Sequence, residues 1–261
     1  NLKLSSTDMD ISIIEKIDCN ILENGSTTIN SQIFYDVVRK LDDSCEVEVI
    51  SNNGKILTLR ANDSRFSLAC LPKEDFPIID HQNDGIKIKI NSSILFKLID
   101  KTRFAISNEE TRYFLNGLYF NIFEENNKTS LTLVGTDGHR LAKFSHHLEQ
   151  KIDQTMGVII PKKTINELSK LLSDLDIYIE IIISSSKIIF FINDLVFISK
   201  LIDGTFPDYK RVIPSDNTNS LEVNRNNLLS AVDRVSTIAN EKSPVIKFKL
   251  LKGIINLNTI N

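Results

Sequence analysis

The chain has 261 residues, 41% hydrophobic and 25% charged, a balance that fits one large or two ordinary folded domains and excludes a disordered or fibrous protein. A net charge of −3 argues against a generic nucleic-acid binder, whose domain is normally basic. The most apolar run, 177–192, is broken by Glu180, three serines and Lys187, so it falls short of the ~18 residues a membrane span needs.

In chain order, the first amphipathic helix is predicted over 30–41, with Ile33, Phe34, Val37, Val38 and Leu41 on one face. A hairpin follows, 46–50 and 56–60, turning at Asn52-Asn53-Gly54. The second helix, 91–104, carries Ile94, Leu95, Leu98 and Ile99, and leads to strands at 118–123 and 130–134. The third, 162–172, carries Ile165, Leu168, Leu171 and Leu172, and precedes strands at 177–183 and 188–192. The fourth, 224–240, carries Leu228, Leu229, Val232, Val235 and Ala239, before strands at 245–250 and 254–258. Strands outnumber helices and come as hairpins, so the class is α+β with antiparallel sheets. Cys19, Cys45 and Cys70 are an odd number without metal-type spacing, and the opening Asn1-Leu2-Lys3-Leu4-Ser5-Ser6 has no signal-peptide pattern. The cysteine count favours a reducing cytoplasm over a disulfide framework.

Self-comparison uncovers a repeat. Leu2-Lys3-Leu4-Ser5-Ser6-Thr7-Asp8 aligns with Leu131-Thr132-Leu133-Val134-Gly135-Thr136-Asp137 at a shift of 129. Ile29, Phe34 and Leu41 match Ile160, Ile165 and Leu172, and Phe76-Pro77-Ile78 matches Phe206-Pro207-Asp208. Ile90-Asn91 matches Val223-Asn224. The order and near-constant offset imply a repeated unit of strand, helix, hairpin, helix, hairpin. A central unit, 80–207, is expected to be complete. The first, 1–79, is expected to lack its opening part and the third, 208–261, its closing part. The four predicted helices carry ten Lys and Arg against four Asp and Glu, leaving the rest of the chain acidic. On any one helix this is an ordinary solvated face, but shared by repeated units it predicts a basic track that attracts phosphates without reading bases.

Three segments stand out: Thr136-Asp137-Gly138-His139-Arg140-Leu141-Ala142; Lys200-Leu201-Ile202-Asp203-Gly204-Thr205-Phe206-Pro207-Asp208-Tyr209-Lys210-Arg211-Val212; and Arg112-Tyr113-Phe114-Leu115-Asn116-Gly117 together with Ser64-Arg65-Phe66-Ser67-Leu68. Read alone, the first is a hairpin turn and the second a proline-stiffened connector. Together they resemble the bacterial sliding clamps, the β subunits of DNA polymerase III, along the full chain. That resemblance implies repeated DNA-clamp domains, with antiparallel sheets outside and amphipathic helices lining a ring around duplex DNA. It also implies a homodimer that tethers the replicative polymerase catalytic subunit, is opened by a clamp loader, and serves other replication and repair proteins carrying clamp-binding peptides. No cofactor or metal is implied.

By the same resemblance, a peptide cleft would use Leu115, Thr136, Gly138, His139, Arg140, Leu141, Pro207, Arg211 and Val212, apolar groups taking side chains while Arg and His hold the peptide backbone. Duplex DNA would meet Gln32, Glu109, Arg112, Tyr113, Phe114, Lys162 and Lys163, and the dimer edge would set Phe66 and Leu68 against Thr237 and Ile238. Three positions depart from the family pattern: Glu109 is acidic where a neutral donor is common, Gln32 replaces a base, and Ser243 replaces an aromatic. Two rival readings are an enzyme built on Asp137 and His139, with His146 and His147 in a loop nearby, and a peptide-binding scaffold that does not encircle DNA. The first lacks a phosphate loop, a nucleophile elbow and a paired acidic signature.

Overall fold

A computed structural model describes residues 1–52, 54–77, 84–125, 127–152, 154–239 and 245–259. Asn53 of the first predicted turn, Ile78 of the repeat, the expected boundary at 79/80, Asn240 at the end of the fourth predicted helix and Ser243 lie outside the described residues. The chain divides into two compact units, Asn1–Pro207 and Asp208–Asn261.

The first unit opens with β1 (Leu2–Thr7) and β2 (Ile11–Ile17), then α1 (Ser31–Val38). A meander follows: β3 (Val47–Asn52), β4 (Ile56–Ala61) and β5 (Ser64–Ala69). Next come β6 (Ile86–Asn91), α2 (Ser92–Asp100), β7 (Gly117–Glu125), β8 (Lys128–Thr136), β9 (Leu141–His147) and β10 (Met156–Pro161). The unit ends with α3 (Lys162–Leu172), β11 (Tyr178–Ile183), β12 (Lys187–Ile192) and β13 (Leu195–Lys200). Among the described residues three sheets result, ordered β1-β2-β13-β12-β11-β6, β10-β7-β8-β9 and β3-β4-β5. Every strand pairing among the described residues is antiparallel.

The helical periodicity translates directly into packing for α2 and α3. Leu95, Leu98 and Ile99 of one, and Ile165, Leu168 and Leu172 of the other, are fully buried in one core with Phe120, Leu131, Leu133, Phe190 and Phe197. Truncating any of these leucines to alanine should cost about 2–5 kcal/mol. The core also takes Ile11 from β2, because β2 pairs with β13 in register Ile11↔Ser199 to Glu15↔Leu195. The start of the chain is thereby built into the sheet of the central repeat.

The second unit is α4 (Arg225–Ser236) with the hairpin β14 (Ile246–Leu251) and β15 (Ile254–Thr259). No described residue of α1 or α4 is fully buried, although both carry the predicted apolar stripe. Among the described residues the base for α4 is a sheet of two strands, too narrow to enclose a helix face. Asparagines cap three helices in the same way. Asn30 accepts from Ile33 N–H, Asn91 from Ser93 N–H, and Asn224 from Asn226 and Asn227 N–H. The Asn91/Asn224 match in the repeat therefore reflects a shared helix start.

The helix ends correct the charge expectation. Within their observed bounds the four helices hold six Lys and Arg against four Asp and Glu, not ten against four. Arg39, Lys40, Lys101 and Arg103 fall past the C-terminal ends. There the chain tightens into shorter turns, with Lys40 N–H bonding Val37 C=O, and Thr102 Oγ1 donating to Leu98 C=O at 2.7 Å. Cations there complement the helix dipole, and Arg39 and Arg103 pair with Asp36 and Asp100 at 3.0 and 3.4 Å.

Candidate functional site

The Thr136-Asp137 turn joins β8 to β9 and is tied by its own side chains. Thr136 Oγ1 donates to Arg140 C=O at 2.7 Å and accepts from Gly138 N–H at 3.1 Å. Asp137 Oδ1 accepts from the N–H groups of His139 and Arg140 at 3.0 Å each, and its Oδ2 accepts from Arg140 Nε at 3.0 Å. The two backbone donors, then the guanidinium, hold the Asp137 carboxyl at about 2, below the usual 3.8. Weighed earlier as an acid–base partner of His139, Asp137 instead has its oxygens engaged in shaping the turn.

Gly138 sits at φ +86°, and a Cβ there would lie 2.5 Å from Arg112 Nη1. The absence of a side chain lets Arg112 close over the turn, where its Nη2 donates to Asp137 C=O at 3.2 Å. Arg112 belongs to a short 3₁₀ segment, Glu110–Leu115, and departs from helical geometry at φ −111°, ψ 53°. Glu109 holds the same guanidinium from the other side, Nε at 2.8 Å and Nη2 at 2.6 Å. That pairing lowers the Glu109 carboxyl and raises the Arg112 guanidinium.

The following residues meet the connector. Gly204 lies under Tyr113 and Phe114, where an added Cβ would be 3.1 Å from Phe114 Cβ. Ile202 N–H bonds Ile159 C=O at 2.9 Å, and Phe206 stacks on Tyr119 with centroids 4.8 Å apart. These contacts fix the connector up to the exposed Pro207. Segment 112–115 thus lies between the Thr-Asp-Gly turn and the Asp203-Gly204 bend, and three stretches separate in sequence meet. Around them Leu115 is buried, Leu141 half-buried, and Arg140 exposed with its guanidinium 5.7 Å from the Phe104 ring centroid. Arg211 and Val212 belong to the second unit, on a 3₁₀ turn, Tyr209–Val212, where Arg211 pairs with Asp208 at 3.0 Å and Val212 is exposed.

The other expected positions are dispersed. Lys162 Nζ donates to Asn108, and its backbone N–H to Asn116 C=O at 2.9 Å. Lys163 is ion-paired with Asp8. Gln32 bonds Asp36 on α1 at 3.0 Å. Phe66 and Leu68 share one face of β5, an edge strand of its sheet, both half-buried. Thr237 Oγ1 donates to Asp233 C=O at 3.2 Å and Ile238 is exposed. His146 and His147 correct the loop expectation. They are the last residues of β9, paired with Leu131 and Ser130, because the alternation of β9 runs on to its end. Burial pushes the His146 imidazole down, and His147 Nδ1 lies 2.8 Å from Ser130 Oγ. Sequence reading missed Asp8, Asn108 and Phe104 as neighbours of the site. The repeat could have supplied Asp8, since it aligns with Asp137.

Three family descriptions match: the DNA polymerase III β subunit N-terminal domain over residues 1–80, its central domain over 89–208 and its C-terminal domain over 210–261. The β sliding clamp of Caulobacter vibrioides NA1000 is 40% identical over 261 residues, covering all of this chain and 70% of that protein. That of Rickettsia bellii is 36% identical, covering 99% and 68%. The crystal structure of a Bartonella birtlesii sliding clamp bound to griselimycin is 43% identical, with a TM-score of 0.92 over 98% of this chain and 68% of that one. The clamp from Pseudomonas aeruginosa gives 0.90 at 30% identity, over 98% and 70%. Among the described residues no helix is long and apolar enough to cross a membrane. The repeated Thr-Asp turns, the antiparallel sheets and these matches along the whole chain lead to one conclusion: the chain belongs to the bacterial sliding clamps, the β subunits of DNA polymerase III.

Proposed function

We infer that this chain acts as a DNA polymerase processivity factor, holding duplex DNA by its phosphates and tethering the replicative polymerase while doing no chemistry itself. The observation that carries this reading is the meeting of Arg112–Leu115 with the Thr136–Arg140 turn and the Gly204 bend, three segments that resemble clamp motifs and share one place in the first unit. On this reading the clamp domains are 1–79, 80–207 and 208–261. A linear peptide with paired bulky apolar residues sits on Leu115, Thr136, Gly138, His139, Arg140, Leu141, Pro207, Arg211 and Val212. A clamp loader and repair proteins use the same surface, and Phe66 and Leu68 of one copy meet Thr237 and Ile238 of another.

Calorimetry with a peptide from a polymerase tail tests this. Leu141→Ala should weaken binding by about 1–3 kcal/mol through lost apolar contact. Arg211→Ala should weaken it by removing hydrogen bonds, with a less favourable enthalpy. Unchanged affinity in both variants, with circular dichroism intact, would place the peptide elsewhere.

A further inference from the structure

Two cations assigned to the DNA surface already have an anion in place. Arg112 is held by Glu109 through two charge-assisted bonds, 2.8 and 2.6 Å long. Lys163, at the start of α3, is paired with Asp8, which comes from the β1–β2 turn more than 150 residues away in sequence. Both pairs are solvent-accessible, so a phosphate can reach them: side-chain exposures are 35% and 52% for Arg112 and Glu109, and 62% and 41% for Lys163 and Asp8. Neither pair lies within an α-helix. Glu109 precedes a kinked 3₁₀ segment, and Asp8 belongs to a different repeat from the lysine it holds.

We propose that Glu109 and Asp8 are resident counter-ions which duplex phosphates must displace from Arg112 and Lys163. This rests on the reading that these cations face DNA. The ion balance follows from elementary electrostatics. A free Lys or Arg that neutralises a phosphate releases a condensed cation from the DNA, and affinity then falls steeply with salt. When the same Lys or Arg leaves a carboxylate to do so, the freed carboxylate regains a diffuse cloud of cations that offsets part of what the phosphate gives up. Net release at that contact is smaller than for a free cation. The contact becomes an exchange between two anions, weaker at each point and less sensitive to salt. For a protein that reads no bases and has to move along its duplex, such contacts hold without trapping.

The two substitutions that remove the charge with least damage are Asp8→Asn and Glu109→Gln. Asp8 Oδ1 shapes its turn by accepting from Asp10 and Ile11 N–H at 3.0 and 2.8 Å, and an asparagine oxygen can still do this, while the oxygen facing Lys163 becomes an amide. Binding of the 261-residue chain to a short fluorescent duplex is measured by anisotropy across a salt series. Asp63→Asn, on the β4–β5 turn, serves as the control for net charge, and Lys162→Glu with Lys163→Glu reports on the DNA surface itself. Each counter-ion variant should bind several-fold more tightly than the parent, with the plot of log K against log salt steeper, by at most about 0.9. The gain should vanish when Lys163→Gln or Arg112→Gln is added to the matching variant. If Asp8→Asn and Glu109→Gln bind no more tightly than Asp63→Asn, while the double lysine variant still loses affinity, the counter-ion proposal fails and the DNA reading stands. A gain that survives loss of the paired cation overturns it equally. Absence of duplex binding by every variant at low salt removes both.

Discussion

The Thr7-Asp8 turn and the Thr136-Asp137 turn, 129 residues apart, are the same object built twice. In each, the threonine hydroxyl donates to the carbonyl four residues on, at 2.8 Å to Ile11 and 2.7 Å to Arg140. In each, the hydroxyl accepts from the N–H two residues on, and the aspartate Oδ1 caps two further amides. Both place their third residue in the left-handed region, Met9 at φ 78° and Gly138 at φ 86°. They differ in what the remaining carboxylate oxygen and that third residue face. Asp8 reaches out to Lys163 on α3, and Met9 is exposed. Asp137 folds back on Arg140, and Gly138 accommodates Arg112. A backbone device that came with the repeated unit has thus been turned outward in one copy, to bind a neighbouring element, and inward in the other, to shape the meeting point of three segments.

The comparison breaks most visibly at the third residue. Gly138→Val adds left-handed strain of about 1–2 kcal/mol and drives a branched side chain into the Arg112 guanidinium, so thermal denaturation should show a loss of roughly 2–3 kcal/mol. A variant as stable as the parent would mean that Arg112 does not rest on this turn. The two carboxyls sharpen the contrast at intermediate size. Both sit near 2, below the usual 3.8, so each contributes stability that is present above the unfolded value and lost as pH falls from about 4 toward 2. Their leading causes differ: Lys163 for Asp8, backbone amides for Asp137. Carboxyl NMR titration should therefore find the Asp8 value rising toward 3.8 in high salt or in Lys163→Gln, while Asp137 stays low in high salt and in Arg140→Gln. Equal movement of the two would make the turns equivalent after all. The smallest effect belongs to Met9→Gly, which relieves positive φ without touching Lys163 and should raise stability by about 0.5–1 kcal/mol.

Much of this architecture is legible without coordinates because it is periodic or repeated. The stripe Leu95, Leu98, Ile99 has the helical period, and burial follows from it. The two Thr-Asp turns align by residue type because their hydrogen bonds need those types. Helix ends were less visible. At the end of α2 the Thr102 N–H turns to Ile99 C=O and leaves Leu98 C=O to its own Oγ1, and nothing in the apolar spacing marks it. Most hidden was the pairing of β2 with β13, since a strand presents the same alternation whichever partner it will take. The site divides along the same line. Its turn could be read from Asp-Gly, but the closure of Arg112 on Gly138 depends on a kinked 3₁₀ segment with no period to announce it.

The β2–β13 pairing also sets a timetable for synthesis. Ile11 leaves the ribosome long before its partner Ser199 does. At ~5–20 residues per second the delay is roughly 10–40 s. Throughout that interval β2 has β1 on one side and an unpaired edge on the other, with Ile11 and Ile14, buried at the end, waiting for cover. The β1–β2 hairpin is therefore completed long after it is made, and the nascent chain most needs protection from foreign strands before β13 arrives.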